Sequence, residues 1–306
     1  MLKRTTRQTI TAYSFLSPVL IFYSIVLIFP IGFSAYLAFH RWNMLTPPAS
    51  ARYVGFSHFV YLLTMDDLFR AALGNTVVFA LGTVFVGMIV ALLIALAINR
   101  MKSAPIWRFL FFIPMVITPV AIGIIWKYLY EPVYGLINTV LRLLHLPAQP
   151  WLSSAEQALP SIMLVSIWAT LGGMIIIFEA GLKNIPEMYY DQAKIDGANP
   201  WQQFRRITLP LLKPTITFIL VTGMISAWQI FDLVFVMTRG ATIAGGSAGS
   251  APLESTIVVA LHIYQTAFEY LRMGRASAMA FVLFFVILVI TLIQLRLLRK
   301  GGIEEI

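Results

Sequence analysis

The sequence predicts an all-α membrane protein of six transmembrane helices, with a polar two-helix loop between the fourth and the fifth. Three observations carry this reading. The 306 residues are 59% apolar and only 11% charged, against roughly 45–50% and about 25% in soluble domains. So little charge would leave large apolar patches in water, so lipid is the simpler solvent. Residues 8–39, 71–99, 109–126, 157–178, 214–231 and 276–295 contain no Lys, Arg, Asp or Glu, and each run has at least 18 residues. About 20 apolar residues cross the ~30 Å hydrocarbon core. The third observation is a polar stretch, Glu187 to Pro214, flanked by two of these runs.

The expected spans are about 13–37, 73–98, 107–129, 160–182, 214–238 and 277–297, within a single domain covering 1–306. The first follows a basic start, but its apolar stretch is far longer than the 7–15 residues of a signal-peptide core, and an uncleaved span is expected. Pro30 and Gly32 lie inside it. Fourteen Lys and Arg fall at the N-terminus, the 2–3 loop, the 4–5 loop and the C-terminus, against eight on the other side. The positive-inside bias therefore expects both termini and the 4–5 loop, 183–213, in the cytoplasm. The net charge of +9 is explained by that topology, and no nucleic-acid partner is expected. Without cysteine there is neither a disulfide nor a thiolate metal site.

The outer connections differ in character. Residues 40–70 mix aromatic and charged side chains, and 130–156 are rich in Pro, Gly and turn residues. The loop 239–276 opens on a Gly/Ser/Ala tract whose composition predicts mobility. Thr256 to Phe268 is uncharged but only 13 residues long, which predicts an interfacial or partly buried helix.

In the polar stretch, Pro186 suits a first helical position, and Gly197 suits the left-handed residue that ends a helix. Asn199 can cap a second helix that begins at Pro200 and carries Trp201, Phe204 and Ile207 on one face. Pro210 and Pro214 are expected to stop it and start the fifth span. Two short helices hinged beside Ala193 and Ala198 make either a knob for a partner's groove or an amphipathic pair lying on lipid.

The stretch YDQAKIDGANPWQQFRRITLPLLKP resembles the EAA loop of permease subunits in binding-protein-dependent ABC importers. Asp191, Gln192 and Ala193 stand at the EAA triplet, Asp196, Gly197 and Ala198 match the D-G-A that follows, and Ile207, Leu209 and Pro210 close the motif. Asp replaces the usual Glu and Gln the first Ala. PVLIFYSIVLIFPIGFSAYLAF, LGNTVVF, YGLINTVL, PWL, FDLVFVMTRG and ASAMA resemble the carbohydrate-importer branch, the maltose- and glycerol-phosphate-type permeases. The resemblance implies a type I importer permease fold in a bacterial or archaeal cytoplasmic (inner) membrane. It also implies three kinds of partner besides the bilayer: a second similar permease, two cytoplasmic ATPase subunits and an extracytoplasmic solute-binding protein. No GxxxxGK[ST] occurs, so ATP and Mg would be held by the ATPase partners, with no cofactor and no catalytic site on this chain.

Polar residues inside the spans are the candidates for a solute path. Span five carries Trp228, Gln229 and Asp232, with Ser226 on the face of Gln229. In a straight helix Asp232 would stand about 27 Å from Pro214, in the outer part of the membrane. An intramembrane carboxylate should face water or a partner, and sugars take hydrogen-bonding groups plus aromatic faces. The alternative places Asp232 at the headgroups or against Arg239, with Trp228 in packing. Trp168 in span four is a further candidate, whereas Trp126 and Lys127 read as interfacial anchors. Gly172 and Gly173 read as close-contact positions, and Glu179 as a partner of Lys183 or solvent. The span interiors lack cations, which favours a neutral sugar or polyol over a phosphate ester such as glycerol phosphate. An intramembrane enzyme would need polar clusters that are missing. A stand-alone transporter or channel would show inverted repeats or unwound mid-span segments.

Overall fold

The computed structural model describes residues 2–99, 101–239 and 253–299. In chain order the helices are α1 (Leu2–Tyr23), α2 (Phe29–Ala38), α3 (Ser57–Thr64), α4 (Asp67–Ile98), α5 (Ala104–Val116), α6 (Pro119–Leu129), α7 (Leu136–Leu143) and α8 (Ala158–Lys183). They continue as α9 (Glu187–Ile195), α10 (Pro200–Gln203), α11 (Leu209–Leu211), α12 (Lys213–Trp228), α13 (Asp232–Arg239), α14 (Leu253–Thr256), α15 (Val259–Tyr264) and α16 (Met273–Arg299). Two short strands, β1 (His40–Arg41) and β2 (Arg52–Tyr53), pair antiparallel with His40 opposite Tyr53. Four stretches are long and apolar enough to cross a membrane, Thr11–Ala38, Asp67–Ile98, Ala158–Lys183 and Met273–Leu297. Counting α5 with α6, and Pro200–Leu211 with α12, as bent pairs brings the number to six. The Gly/Ser/Ala tract, residues 240–252, lies outside the described residues.

Proline decides local geometry twice. Pro30 and Pro210 each sit just after a π-helical turn, Ser24–Ile28 and Phe204–Thr208. A helical proline offers no N–H and crowds the carbonyl four residues back; widening the preceding turn relieves both. The expectation that Pro210 stops the second loop helix is therefore corrected. The helical path runs on to Leu211 and bends by 61° into α12 at the fully buried Leu212.

The chain divides into two compact units, residues 1–66 with 263–282 and residues 67–262 with 283–306. In the first, the apolar side chains of α1 lie on the surface, Phe15 being 81% exposed, which suits a lipid solvent. In the second, α4 and α8 form the central pair, with α5 against α8, α12 against α4, and α13 against α6. Ala91 and Ala95 of α4 let Ile175 and Phe178 of α8 close the core. At Gly172 a Cβ would lie 2.3 Å from the Phe111 carbonyl, so glycine permits backbone contact between α8 and α5. Thr83, Thr170 and Thr222 turn their hydroxyls onto the carbonyls of Phe79, Ser166 and Phe218, which satisfies polar groups in an apolar setting.

Two connections are held by buried hydrogen bonds. Asn138 is fully buried; its amide donates to the Pro132 and Gln149 carbonyls, and its oxygen accepts from Gln149 N and Trp151 Nε1. That links the YGLIN and PWL motifs. The uncharged stretch after Thr256 is buried at Ile257 and Val258, where the chain leaves helical geometry. Asn75 Nδ2 donates to the Ile257 carbonyl and Thr76 Oγ1 accepts from Val259 N, supplying partners that the irregular backbone needs.

Candidate coupling loop and solute groove

The loop between α8 and α12 is built as two helices about a single left-handed residue. Pro186 is the N-cap of α9, one position earlier than expected, because its extended ψ of 133° keeps it outside the helix. Gly197 has φ +75°. Its N–H donates to the Lys194 carbonyl, and Ala198 N–H to that of Ala193 at 2.8 Å, the paired bonds of a Schellman end. Asn199 then caps α10 reciprocally with Gln202, at 2.9 and 2.8 Å. Tyr190 and Thr208 hydroxyls, 2.9 Å apart, tie the two arms at their base, and Tyr190 and Ile207 pack on the core.

The residues proposed for coupling therefore separate into two groups. Asp191, Gln192, Asp196, Gly197, Leu209 and Pro210 are exposed, Ala193 and Ala198 are half-buried at the hinge, and Ile207 faces the core. Asp191 is paired with Lys194 at 2.9 Å. The most exposed of the loop's large apolar side chains are Ile195, at 86%, and Trp201, at 66%; Trp201 is stacked on Phe204. Ile195 has no signal in the sequence beyond its place next to the turn.

Glu179, expected to pair with Lys183 or solvent, is corrected by the structure. It is buried at the end of α8 and accepts from Arg108 Nε of α5 at 2.5 Å. A carboxylate facing the core cannot reach solvent, so it takes a cation from the neighbouring helix.

Spans three and five are both discontinuous. α5 and α6 meet at 97° across Ile117 and Thr118, where the Thr118 hydroxyl accepts from Ala121 N and caps α6. Span five breaks at Gln229–Phe231, so the expectation of one helix over 214–238 is corrected, and the straight-helix depth of Asp232 does not hold beyond Trp228. Both breaks border one cavity of about 270 Å³, lined by Ile117, Pro119, Ile230, Ser166 and Thr170. A second cavity of about 320 Å³ shares Ser166, Thr170 and Ile230 and continues along Thr83, Thr222, Gly223 and Ser226. Together they form a mainly apolar groove among α4, α5, α6, α8, α12 and α13, walled by side chains such as Phe79, Met115, Met174 and Ile230 and interrupted by these hydroxyls and Gly223.

Of the candidate path residues, Ser226 lines this groove. Gln229 is exposed at the break and Asp232 is exposed in the first turn of α13. The alternative partner Arg239 has its side chain outside the described residues. Trp228 is buried. Trp168 meets Trp126 edge-on at 5.4 Å, and Trp126 continues to Tyr130 and Trp151. That places Trp168 in an aromatic ladder. Ser166 and Thr170, which sequence reasoning passed over, are the hydroxyl-bearing residues that α8 supplies to the groove, beside Gly173, Met174 and Ile177.

A protein-family profile described as binding-protein-dependent transport system inner membrane component matches residues 83–300. The probable ABC transporter permease protein YesP of Bacillus subtilis is 35% identical over 94% of this chain and 90% of its own. The sulfoquinovosyl glycerol transport system permease protein SmoG of Agrobacterium fabrum is 32% identical over 93% of this chain and 89% of its own. A chain in the crystal structure of a bacterial alginate ABC transporter, in complex with an alginate pentasaccharide-bound periplasmic protein, shares the fold with a TM-score of 0.82. That chain is 25% identical, covering 97% of this chain and 96% of itself. Unwound segments, expected of a stand-alone transporter, therefore occur in a chain of another class. With its profile match and full-length relatives, the chain belongs to the inner-membrane permease components of binding-protein-dependent ABC transport systems.

Proposed function

We propose that this chain forms half of the translocation path of an ATP-driven importer for a sugar or related polyol. The observation that carries the reading is mechanical continuity. The Schellman-hinged loop exposes Ile195 and Trp201, and its second arm bends at buried Leu212 into α12, whose far end supplies Thr222 and Ser226 to the groove. A force applied to the loop is thereby delivered to the groove wall. ATP and Mg belong to two cytoplasmic ATPase subunits in this reading, a second permease completes the path, and a solute-binding protein delivers the solute outside. Relatives named for sulfoquinovosyl glycerol, starch degradation products and arabinooligosaccharides support a carbohydrate solute.

The test is purification of the tagged chain from its own membrane. It should retain an ATPase, and an Ile195→Asp, Trp201→Ala variant should keep membrane insertion while losing solute-stimulated ATP hydrolysis and uptake. Full uptake by that variant would remove the loop from the drive mechanism.

A further inference from the structure

The first unit holds a cavity of about 710 Å³ that the groove does not account for. It lies on the side that charge bias assigns to the exterior. Arg41, Arg272 and Arg275 line it, with Trp42, Tyr61 and Tyr270, and no carboxylate is among the lining residues. Among the described residues none of the three arginines has an ion pair. Three guanidinium groups around one space repel each other unless an anion enters.

The wall is built, and not a chance meeting of surface side chains. Arg275 lies over the Tyr61 ring at 3.7 Å, and its buried Nε has no hydrogen-bond partner in the protein. A buried donor without an acceptor needs an explanation, and an entering oxyanion provides one. Trp42 is fixed by its Nε1 bond to the Thr46 carbonyl at 2.8 Å. Leu271, between Tyr270 and Arg272, holds φ +52°, a strained state for a branched side chain that needs its surroundings to maintain it. At Gly274 an added Cβ would lie 1.9 Å from the His40 carbonyl, so glycine lets β1 seat against the start of α16 and sets Arg272 and Arg275 facing the space. His58 in the same wall is held neutral by burial, with Arg275 and Arg41 adding to the effect.

We propose that this cavity binds the carboxylate or sulfonate of an acidic sugar, the guanidinium groups taking the oxyanion and the aromatic rings the sugar face. The assignment rests on the carbohydrate-importer reading and narrows its solute to an anionic class, reversing the neutral preference drawn from the span interiors.

Equilibrium binding of labelled D-glucuronate and D-glucose to the purified importer complex tests this. The complex is placed in nanodiscs of phosphatidylcholine, with and without phosphatidylglycerol. Glucuronate should bind at least about tenfold more tightly than glucose, and its binding should weaken with added salt. Arg272→Gln and Arg275→Gln should each lose about tenfold for glucuronate while ATP hydrolysis without solute is unchanged. If Arg275→Gln fails to fold, the exposed Arg272 carries the test. Equal binding of the two sugars, or glucuronate binding indifferent to both arginines, overturns the proposal. So does retention of phosphatidylglycerol through these arginines in place of glucuronate, which would assign the cavity to a lipid headgroup. Loss of the ATPase on purification would instead sink the importer reading and leave the binding result standing.

Discussion

Arg108 of α5 and Glu179 of α8 meet at 2.5 Å, Nε to Oε2, with the carboxylate side chain 5% exposed. The pair joins α5 to the end of α8, just ahead of the α9–α10 loop, and the second carboxylate oxygen has no partner in the protein. Removing the cation would strand a buried charge, a loss of about 3–5 kcal/mol for a fully buried pair. Arg108 is 31% exposed, and screening brings the expectation for Arg108→Ala to about 1–3 kcal/mol. Adding Glu179→Leu should restore much of that stability, because an apolar side chain of similar size suits the site. Thermal unfolding of the two variants checks this. A single variant that melts like the parent would show the pair contributes nothing.

Gly197 separates conformational from contact effects. Its φ of +75° penalises other residues, yet a Cβ there meets nothing within 4 Å. Gly197→Ala should therefore destabilise the loop by about 1–2 kcal/mol. Asn tolerates the left-handed region, so Gly197→Asn should fold normally while presenting a polar group to whatever docks on the hinge. Gly197→Trp should abolish uptake and stimulated ATP hydrolysis without affecting insertion. Normal transport by Gly197→Trp would mean that no partner approaches the turn.

The groove predicts which polar residues matter for transport. Thr170→Val keeps the side-chain shape and Ser226→Val adds bulk, and each removes a hydroxyl from the wall; uptake should fall several-fold in each. Trp168→Ala should lower thermal stability by about 3–5 kcal/mol at most through loss of ladder packing, with a smaller effect on uptake kinetics. Gln229→Ala and Asp232→Ala reduce uptake only if the break opens to the path. Initial-rate uptake in vesicles ranks the five variants. Unchanged rates for Ser226→Val and Thr170→Val would move the path elsewhere.

Charge-free runs made the six spans legible, since any charge in lipid is costly, and Gly197, Asn199 and Pro200 marked the hinge because each residue type has a narrow backbone role. The break in span three was foreshadowed by Pro119. That in span five was not, for Ser226 to Phe231 contains neither proline nor glycine; beyond the break, α13 packs against α6. At Gly123 of α6 a Cβ would come within 2.9 Å of Val236, a tertiary fit with no local signature. Glu179 illustrates the same limit. Helical spacing offered Lys183, whereas the actual partner stands on another helix. The cationic cavity draws Arg41 and Arg275 from opposite ends of the chain, so counting charges by side of the membrane could not bring them together.

His58 gives the fold a defined response to acid. The side chain is buried in α3, and its Nε2 donates to the His40 carbonyl at 3.2 Å. Burial lowers its pKa from 6.5, the nearby charges of Arg275 and Arg41 act in the same direction, and the hydrogen bond opposes them. The unfolded chain then holds more protons than the folded one in mildly acid solution, so stability rises with pH there. The contribution is complete above the ordinary histidine value of 6.5 and is lost as pH falls from it through the lower folded value. His58→Gln keeps a donor for the His40 carbonyl but cannot titrate. Its melting temperature should vary less between about pH 7.5 and 5 than that of the parent. Identical slopes for the two proteins would assign the acid sensitivity to other groups.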